Sequence, residues 1–338
     1  MTLTVAQLSE SELLQRIFPR LHAGTSTLLG PGDDSAIIAA PDGRTVISID
    51  TQVQDRDFRL AWPNGYATTG YDVGWKAAAQ NLSDINAMGA EATALVVSLT
   101  LPGTTPVPWV EGLAEGLSAA IVALGARQCS VAGGDLSGGS EIVVTVAVTG
   151  SLDGRDPVLR SGARPGDVVA VCGHLGWSAA GWALQESGIA PENFTAGLQK
   201  AADLFNRPKP PLAAGPAAAR AGATAMMDIS DGLLRDAGRL AAASGSGLDL
   251  DGVVLADMAG QLAECALALE ADPLRWVLSG GEDHGLLSTF PANAALPHGF
   301  VGIGSVVSAG AGQPAVSIDG RNFKSVVDGA VGWDHFAV

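Results

Sequence analysis

Six short acidic clusters, each set among Gly, Ser or Thr residues, are the part of this sequence best suited to chemistry. In chain order they are Gly32-Asp33-Asp34-Ser35, Ser48-Ile49-Asp50-Thr51, Asn81-Leu82-Ser83-Asp84, Gly133-Gly134-Asp135, Asp228-Ile229-Ser230-Asp231-Gly232 and Gly280-Gly281-Glu282-Asp283. Carboxylates in such turns are hard oxygen ligands, and Mg²⁺ binds one or two of them together with water and substrate phosphates. One cluster would mean little, because Asp and Gly are common in turns. Six clusters predict several metal ions that bind a polyphosphate.

The overall charge limits the classes of partner. The chain has 35 Asp and Glu against 19 Lys and Arg, a formal net charge of −16. Nucleic acids and anionic membranes both require a basic surface, so neither is expected as a partner. An acidic protein that binds nucleotides needs another source of positive charge, and this composition favours divalent metal ions.

The cysteines and the apolar segments indicate the compartment. Cys129, Cys172 and Cys265 are widely separated and show no Cys-x-x-Cys spacing, as expected for reduced thiols of a cytoplasmic protein. The polar N-terminal region does not resemble a signal peptide. No uncharged apolar stretch reaches the length of roughly 18 residues that a membrane span needs.

Strands and helices alternate along the chain, as is typical of α/β domains. At 338 residues, two domains are expected, and we place them at residues 1–150 and 151–338, with a Gly- and Pro-rich linker at 151–166. In the first domain a strand is predicted to end at Ile49 and to present Asp50. A helix from about Val73 to Met88 would carry Lys76, Gln80 and Asp84 on one face.

The Asp228 cluster gives the clearest local signal in the second domain. A strand over residues 223–227 is predicted to lead into Asp228, and Ser230 or Asp231 to cap a helix that begins at Gly232. Two interpretations stay open: an ordinary helix cap, or a site where free N–H groups attract an anion and the carboxylates attract a cation.

Other phosphate-handling and catalytic motifs are missing from the sequence. It contains no Gly-x-x-x-x-Gly-Lys-Ser/Thr loop and no protein-kinase catalytic loop. The five histidines show no metal-ligand spacing, and no Ser–His–Asp set is identifiable.

Taken together and in order, these motifs resemble those of the thiamine-monophosphate kinase family, in the superfamily that includes aminoimidazole ribonucleotide synthetase. The resemblance runs nearly end to end, and three motifs in this order are specific to the kinase. These three are Asp228-Ile229-Ser230-Asp231-Gly232-Leu233, Ser279-Gly280-Gly281-Glu282-Asp283 and Trp333-Asp334-His335-Phe336.

The resemblance implies an α/β fold of the α+β type, with two domains. The N-terminal domain would bind ATP and Mg²⁺ and pair across a homodimer, and the C-terminal domain would close the active site. The implied reaction is direct in-line transfer of the ATP γ-phosphoryl group to thiamine monophosphate, assisted by several Mg²⁺ ions. No catalytic acid or base is implied.

The resemblance also implies roles for individual residues. Metal ligands would be Asp34, Ser48, Ile49 through its carbonyl, Asp50, Asp84, Asp135, Asp228 and Asp231. ATP would contact Gly134, Asp135, Arg160 and Ser230. The thiamine phosphate would contact Asp57, Glu282 and Trp333, the last by stacking.

This sequence departs from the family pattern at a few positions. Asp57 stands where His is frequent, Ile49 where Thr is common, and His284-Gly285 where Tyr-Glu is common. The loop over residues 59–72 is also longer than usual. These positions concern acceptor recognition more than metal binding, so two alternatives stay open: a related enzyme with another acceptor, and a non-catalytic sensor of nucleotide or thiamine phosphate.

Overall fold

The chain divides into two compact units. The computed structural model describes residues 2–31, 36–310, 315–323 and 332. Unit 1 comprises residues 1–85 and 90–155, and unit 2 comprises residues 86–89 and 156–338. The expected domain boundary, residue 150, lies near the end of a strand, and the observed division after Arg155 comes just after that strand.

The described residues of unit 1 form a four-stranded sheet, a two-stranded sheet and three α-helices. Its elements are α1 (Glu10–Ile17), β1 (Thr27–Leu29), β2 (Ile37–Ile38), β3 (Val46–Val53), α2 (Gly70–Ala87), β4 (Glu91–Leu101), α3 (Val107–Ala123), β5 (Ser130–Gly138) and β6 (Val143–Ser151).

The larger sheet of unit 1 has the strand order β3-β6-β4-β5. β6 is antiparallel to both of its neighbours, and β4 and β5 are parallel. α2 and α3 come close together because glycines remove side chains at the contact: a Cβ at Gly74 or Gly116 would collide with backbone of the other helix. α2 ends as the sequence predicts, with Gly89 at φ +74° and Ala90 donating its N–H to Ile85 O.

Unit 2 contains a seven-stranded sheet and seven helices among its described residues. Its elements are β7 (Val168–Cys172), α4 (Trp177–Gln185), α5 (Ala196–Asn206), α6 (Ala214–Arg220), β8 (Ala225–Ile229), α7 (Leu233–Ser244), β9 (Ser246–Leu250), α8 (Gly252–Gly260), α9 (Ala263–Leu269), α10 (Pro273–Ser279), β10 (Gly285–Phe290), β11 (Phe300–Ser308), β12 (Val316–Ile318) and β13 (Arg321–Asn322).

The sheet of unit 2 has the order β13-β12-β9-β11-β7-β10-β8 and is antiparallel apart from the β9–β12 pair. Its central strands are covered on both faces. Val169 and Val171 belong to one buried cluster and Ala170 and Cys172 to another. Burial on both faces explains why β7 is a continuous apolar run in the sequence. The predominantly antiparallel pairing confirms the expected α+β class.

Three acidic clusters lie inside strands, whereas the sequence predicts them at strand ends or in turns. Asp50 lies inside β3, Asp228 inside β8 and Gly133-Gly134-Asp135 inside β5. The strands continue past the predicted ends because ladder pairing extends to Val53, Ile229 and Gly138. These carboxylates therefore project from a sheet instead of from a turn.

The helix α7 is also capped differently from the prediction. Its N-cap is Gly232, which makes no side-chain cap. Instead Asp236, inside the first turns, accepts the N–H groups of Asp231 and Gly232 at 2.9 and 3.2 Å. The prediction that Ser230 or Asp231 caps this helix is wrong, because a later carboxylate accepts the hydrogen bonds. The apolar face of α7 is buried, with Leu233 among its members.

Within the described part of the chain, no single helix is long and apolar enough to span a membrane. Only α8 and α9 taken together, bent by 69°, reach the required length and composition.

Candidate active site

In unit 1 the polar face of α2 lies against polar residues of β3. Ser48 donates its hydroxyl to Asp84 Oδ2 at 2.6 Å, and Gln52 Nε2 donates to Gln80 Oε1 at 2.8 Å. Asp50 lies between Ser48 and Gln52 on the same face of the strand, since strand side chains alternate. The structure thus brings together the predicted ligands Ser48, Asp50 and Asp84 as an oxygen-rich strip.

The backbone of Ile49 is oriented to offer its carbonyl. Gln54 donates its N–H to Ile142 O on the β6 side, whereas Val53 donates its N–H to Asp57 Oδ2 on the other side. Alternation along the unbroken β3–β6 register places the Ile49 N–H and carbonyl on the same side as those of Val53. That edge of β3 pairs with no other strand among the residues that the structure describes.

Asp57 helps to form the turn that follows β3. Its Oδ2 accepts the Val53 N–H at 2.7 Å, and its own N–H donates to Val53 O. The turn includes Asp55 in the left-handed region at φ 63°. One carboxylate oxygen of Asp57 is thus engaged in local structure, and its predicted contact to thiamine phosphate stays a prediction.

Asp135 lies on the other face of the unit 1 sheet. Its partner in the parallel β4–β5 ladder is Ser98, which is exposed, while Gly134 pairs with the buried Val97. Val97 shares a row of the sheet with Asp50, so the register assigns Asp135 to the face opposite Asp50. The Asp135 carboxylate accepts a hydrogen bond from Ser137 Oγ at 3.0 Å. Within one chain, Asp135 therefore lies on the opposite face of the sheet from the strip of Ser48, Asp50 and Asp84.

In unit 2 the end of β8 is joined to the loop at residues 280–284. Glu282 donates its N–H to Ser230 O at 2.8 Å, and His284 donates its N–H to Ile229 O at 3.1 Å. His284 Nδ1 is 3.5 Å from Asp228 Oδ2, and both side chains are buried. The structure thus brings three predicted residues, Asp228, Ser230 and Glu282, into one neighbourhood.

Asp231 is paired with arginines of α7. Its Oδ2 lies 2.6 Å from Arg239 Nη1 and 3.7 Å from Arg235 Nε. Arg239 Nη1 also contacts Asp236 Oδ1 at 2.7 Å. Burial, with smaller contributions from the charges of Asp231 and Asp228, raises the pKa of Asp236 to about 6. A cation at Asp231 would share this carboxylate with Arg239.

Asp283 is a buried carboxylate at the start of α4. It accepts the N–H of Gly176 at 2.5 Å and the N–H of Ser178 at 2.8 Å. Burial raises the pKa of Asp283 to about 6, although these two N–H groups act in the opposite direction. The residues before and after it, Glu282 and His284, both have positive φ, at 65° and 54°.

The other predicted residues are placed as follows. Arg160 is exposed, and its carbonyl accepts Ser244 Oγ at 3.0 Å. Asp34 and Trp333 lie outside the described residues. Gly332, immediately before Trp333, is described and packs against Asp231 O and the Arg235 side chain. That contact brings the chain to the acidic end of α7 directly before Trp333.

The donor set fits Mg²⁺ in its chemistry. The groups on offer are carboxylate, hydroxyl and carbonyl oxygens, which are the ligands that this ion prefers. The described residues contain no group of three or more His, Cys, Asp or Glu arranged to bind a metal. Mg²⁺ does not need such a group, because water and substrate phosphates usually complete its coordination.

Two functional features were not predicted from the sequence. The buried carboxylates Asp236 and Asp283 organise the acidic segments of unit 2, and Arg239 neutralises Asp231. The pairing of Arg239 with Asp231 could have been predicted, since Asp231, Arg235 and Arg239 are spaced four residues apart and such spacing puts them on one helix face. Nothing in the local pattern around Asp283 indicates that its partner is the start of α4, because the contact joins distant parts of the chain.

Comparison with known proteins defines the class first. Residues 32–152 match the N-terminal domain of AIR synthase related proteins, and residues 164–281 match their C-terminal domain. Structures of the hydrogenase maturation protein HypE also match, with a TM-score of 0.64 at 17% identity over 92% of this chain and 94% of that chain. At that identity the likeness is one of fold alone.

Nearer relatives define the family. The thiamine-monophosphate kinase of Mycobacterium tuberculosis (strain ATCC 25618 / H37Rv) is 45% identical over 336 residues, which cover 98% of this chain and 93% of that protein. A solved structure of AaThiL complexed with AMPPCP and TMP matches with a TM-score of 0.73 at 28% identity, covering 99% of this chain and 100% of that chain. The chain belongs to the thiamine-monophosphate kinase family and is a kinase.

Proposed function

We propose that this protein transfers the γ-phosphoryl group of ATP directly to the phosphate of thiamine monophosphate, giving thiamine diphosphate and ADP. The observation that carries the proposal is 45% identity to a thiamine-monophosphate kinase over 98% of the chain. The related AaThiL structure, bound to AMPPCP and TMP, supports the same pair of ligand classes.

The proposed step is an in-line displacement. An oxygen of the acceptor phosphate forms a bond to the γ-phosphorus while the bond from that phosphorus to the β–γ bridging oxygen breaks, and ADP leaves with the electron pair. The acceptor phosphate is already largely ionised at neutral pH, so no general base is needed. What the protein must supply is alignment of two anions and relief of their repulsion.

The proposed Mg²⁺ ligands are Asp34, Ser48, the Ile49 carbonyl, Asp50, Asp84, Asp135, Asp228 and Asp231. Bound Mg²⁺ would neutralise charge on the phosphates and orient them. The strip of Ser48, Asp50 and Asp84 and the edge position of the Ile49 carbonyl support the first part of this set. The assignment of Asp135 to the other sheet face favours a separate ion for that residue.

The nucleotide and acceptor contacts are proposed from the family pattern. Gly134 is exposed, and it lacks a side chain where β5 closely approaches Val97 O, since a Cβ would collide there. We assign Gly134, Asp135, Arg160 and Ser230 to ATP, and Asp57, Glu282 and Trp333 to the thiamine phosphate. The hydrogen bond from Glu282 N–H to Ser230 O supports placing Glu282 near the nucleotide contact Ser230.

A homodimer formed through the unit 1 sheet is part of the proposal. The face of this sheet opposite Asp84 carries apolar side chains with large exposed fractions: Ile47 at 71%, Ile49 at 63% and Val96 at 46%. Ile49 and Val96 share a row across β6. A contiguous exposed apolar face is typical of a protein interface. The free thiols of the three cysteines support a reducing, cytoplasmic location.

The test is product formation from ATP, MgCl₂ and thiamine monophosphate, with free thiamine as the control acceptor. We expect ADP and thiamine diphosphate in equal amounts from the monophosphate and neither product from thiamine. ATP binding without ADP formation would contradict the proposal and favour a sensor. ADP formation with a different phosphorylated acceptor only would favour a related enzyme.

A further inference from the structure

The loop that carries Glu282 has an unfavourable backbone conformation. Glu282 and His284 are both in the left-handed region, at φ 65° and 54°, and neither is glycine. Such a conformation is costly for a residue other than glycine, and it persists only where surrounding contacts determine it. The residue between them, Asp283, is 4% exposed, and its contacts identify what fixes the loop.

Asp283 joins this loop to the first turn of α4. One carboxylate oxygen accepts the Gly176 N–H and the other accepts the Ser178 N–H. These N–H groups belong to the helix start, where four N–H groups lack partners within the helix. Ser178 adds a third connection, because its hydroxyl donates to Glu282 O at 2.9 Å.

The same loop is also bonded to the end of β8. The N–H of Glu282 donates to Ser230 O, and the N–H of His284 donates to Ile229 O. Because these donors flank Asp283, both bonds depend on the backbone conformation that the Asp283 carboxylate fixes. The buried carboxylate therefore connects α4, the loop and the strand that carries Asp228.

We propose that Asp283 is a positioning residue that sets the place of Glu282 for binding the phosphorylated acceptor. The inference rests on the proposed function, since Glu282 is there assigned to the thiamine phosphate. Asp283 itself does not contact the substrate. Its carboxylate fixes the strained backbone from which the Glu282 side chain projects.

The main test is Asp283→Asn. An amide has one acceptor oxygen, so its NH₂ group would face one of the two helix N–H donors and disturb the loop. We expect KM for thiamine monophosphate to rise about 10-fold or more, with KM for ATP changed by less than about 3-fold. The matched control is Asp251→Asn, the same change at a carboxylate that accepts two N–H groups at the start of α8. It should leave both KM values unchanged.

A double-mutant cycle separates positioning from general destabilisation. If Asp283 acts through Glu282, adding Asp283→Asn to Glu282→Ala should raise the acceptor KM no further. Effects that multiply in the double variant, or an unchanged acceptor KM in Asp283→Asn, would overturn the inference. If Asp283→Asn does not fold, Ser178→Ala removes the hydroxyl bond to Glu282 O together with the longer one to Leu204 O, and it leaves the Ser178 N–H bond to Asp283 in place. This variant should still raise the acceptor KM about 3-fold.

Hydrogen exchange provides a readout that does not depend on activity. In Asp283→Asn, amide exchange should accelerate at Gly176, Ser178, Glu282 and His284 and stay unchanged across α8. If the wild-type protein made no thiamine diphosphate, the proposed function would fail, and this exchange pattern would still decide whether Asp283 fixes the loop. Unchanged exchange at these amides would overturn the inference on its own.

Discussion

At the scale of single residues, the acidic side chains of this protein differ sharply in their surroundings. Asp84 accepts a serine hydroxyl, Asp231 pairs with arginines, and Asp283 accepts two backbone N–H groups at the start of α4. This contrast separates carboxylates suited to metal binding from one that serves the fold.

Asp84→Asn tests the metal-binding role proposed for Asp84. The amide oxygen can still accept the Ser48 hydroxyl, so the fold should be kept while one negative charge is lost. We expect kcat to fall at least about 100-fold, because charge compensation at the phosphates is the main catalytic task. Asp153→Asn, at an exposed position with φ 52° that Asn tolerates, is the control. Near-normal kcat in Asp84→Asn would refute the role.

The raised pKa of Asp283 predicts a pH effect on stability. The native pKa is about 6, above the ordinary value of 3.8. The contribution of this group to the free energy of unfolding is therefore fully present below about pH 4 and is lost as pH rises through about 6. The loss is at most about 3 kcal/mol.

The measurement is urea unfolding of the wild-type protein and Asp283→Asn at several pH values. Since Asn does not titrate, the difference in unfolding free energy between the two proteins should shrink between about pH 4 and pH 6 and then level off. A difference that stays constant or grows over this interval would contradict the assigned pKa.

At the scale of elements, the loop before α2 is an ordered structure. Trp62 Nε1 donates to Thr68 Oγ1 at 2.9 Å, and Thr68 N–H bonds back to Leu60 O. Asp72 Oδ2 accepts from Tyr66 OH at 2.8 Å and from the Thr69 N–H at 3.1 Å. This loop is thus tied to the start of α2.

Asp72→Ala should therefore destabilise the protein more than loss of an ordinary cap. Asp72 is 4% exposed, and its removal leaves three part-buried donors, on Tyr66 and Thr69, without this acceptor. We expect a loss of about 2–3 kcal/mol in unfolding free energy. Asp272→Ala, which removes one N–H bond at the start of α10, should cost about 1 kcal/mol. Chemical denaturation of both variants makes the comparison. Equal losses of unfolding free energy in the two variants would show that Asp72 stabilises the protein no more than an ordinary helix cap does.

The elements also show what the sequence could predict. The runs of β7 and the apolar face of α7 were predictable because the core requires them. β3 was predicted only as far as Ile49 and its continuation to Val53 was missed, since its apolar residues Ile47 and Ile49 face outward while Ser48 and Gln52 face α2. A hydrophobic pattern assigns apolar residues to the core, so an edge strand with a polar inner face is misread, and Asp50 was placed at the strand end instead of inside it.

The residues of the candidate site could be predicted from the sequence, but their arrangement could not. Motif order identified the acidic residues, but it could not indicate which of them share a face. The opposite placement of Asp135 and Asp50 depends on a register shift in the β4–β5 ladder between Leu95 and Val96. A shift of one residue reverses every later side chain, and no local pattern in the sequence marks it.

At the scale of the whole molecule, the outward apolar face of the unit 1 sheet leads to a prediction on assembly. Ile47→Glu introduces a charge at a 71% exposed position of that face, and Val253→Glu does the same at an equally exposed position of α8. If the proposed dimer uses the sheet, only the first variant should become monomeric at micromolar concentration. Light scattering after size-exclusion chromatography measures the mass. A dimer that survives Ile47→Glu would contradict this interface.

Direct phosphoryl transfer to thiamine monophosphate is most directly tested by a single turnover with ATP labelled at the γ-phosphate. The enzyme is mixed in excess with labelled ATP, Mg²⁺ and thiamine monophosphate, and the reaction is quenched at successive times. We predict that the label passes to thiamine diphosphate in step with ADP formation, with none on the protein. Label found on the protein or only in inorganic phosphate would contradict direct transfer to this acceptor.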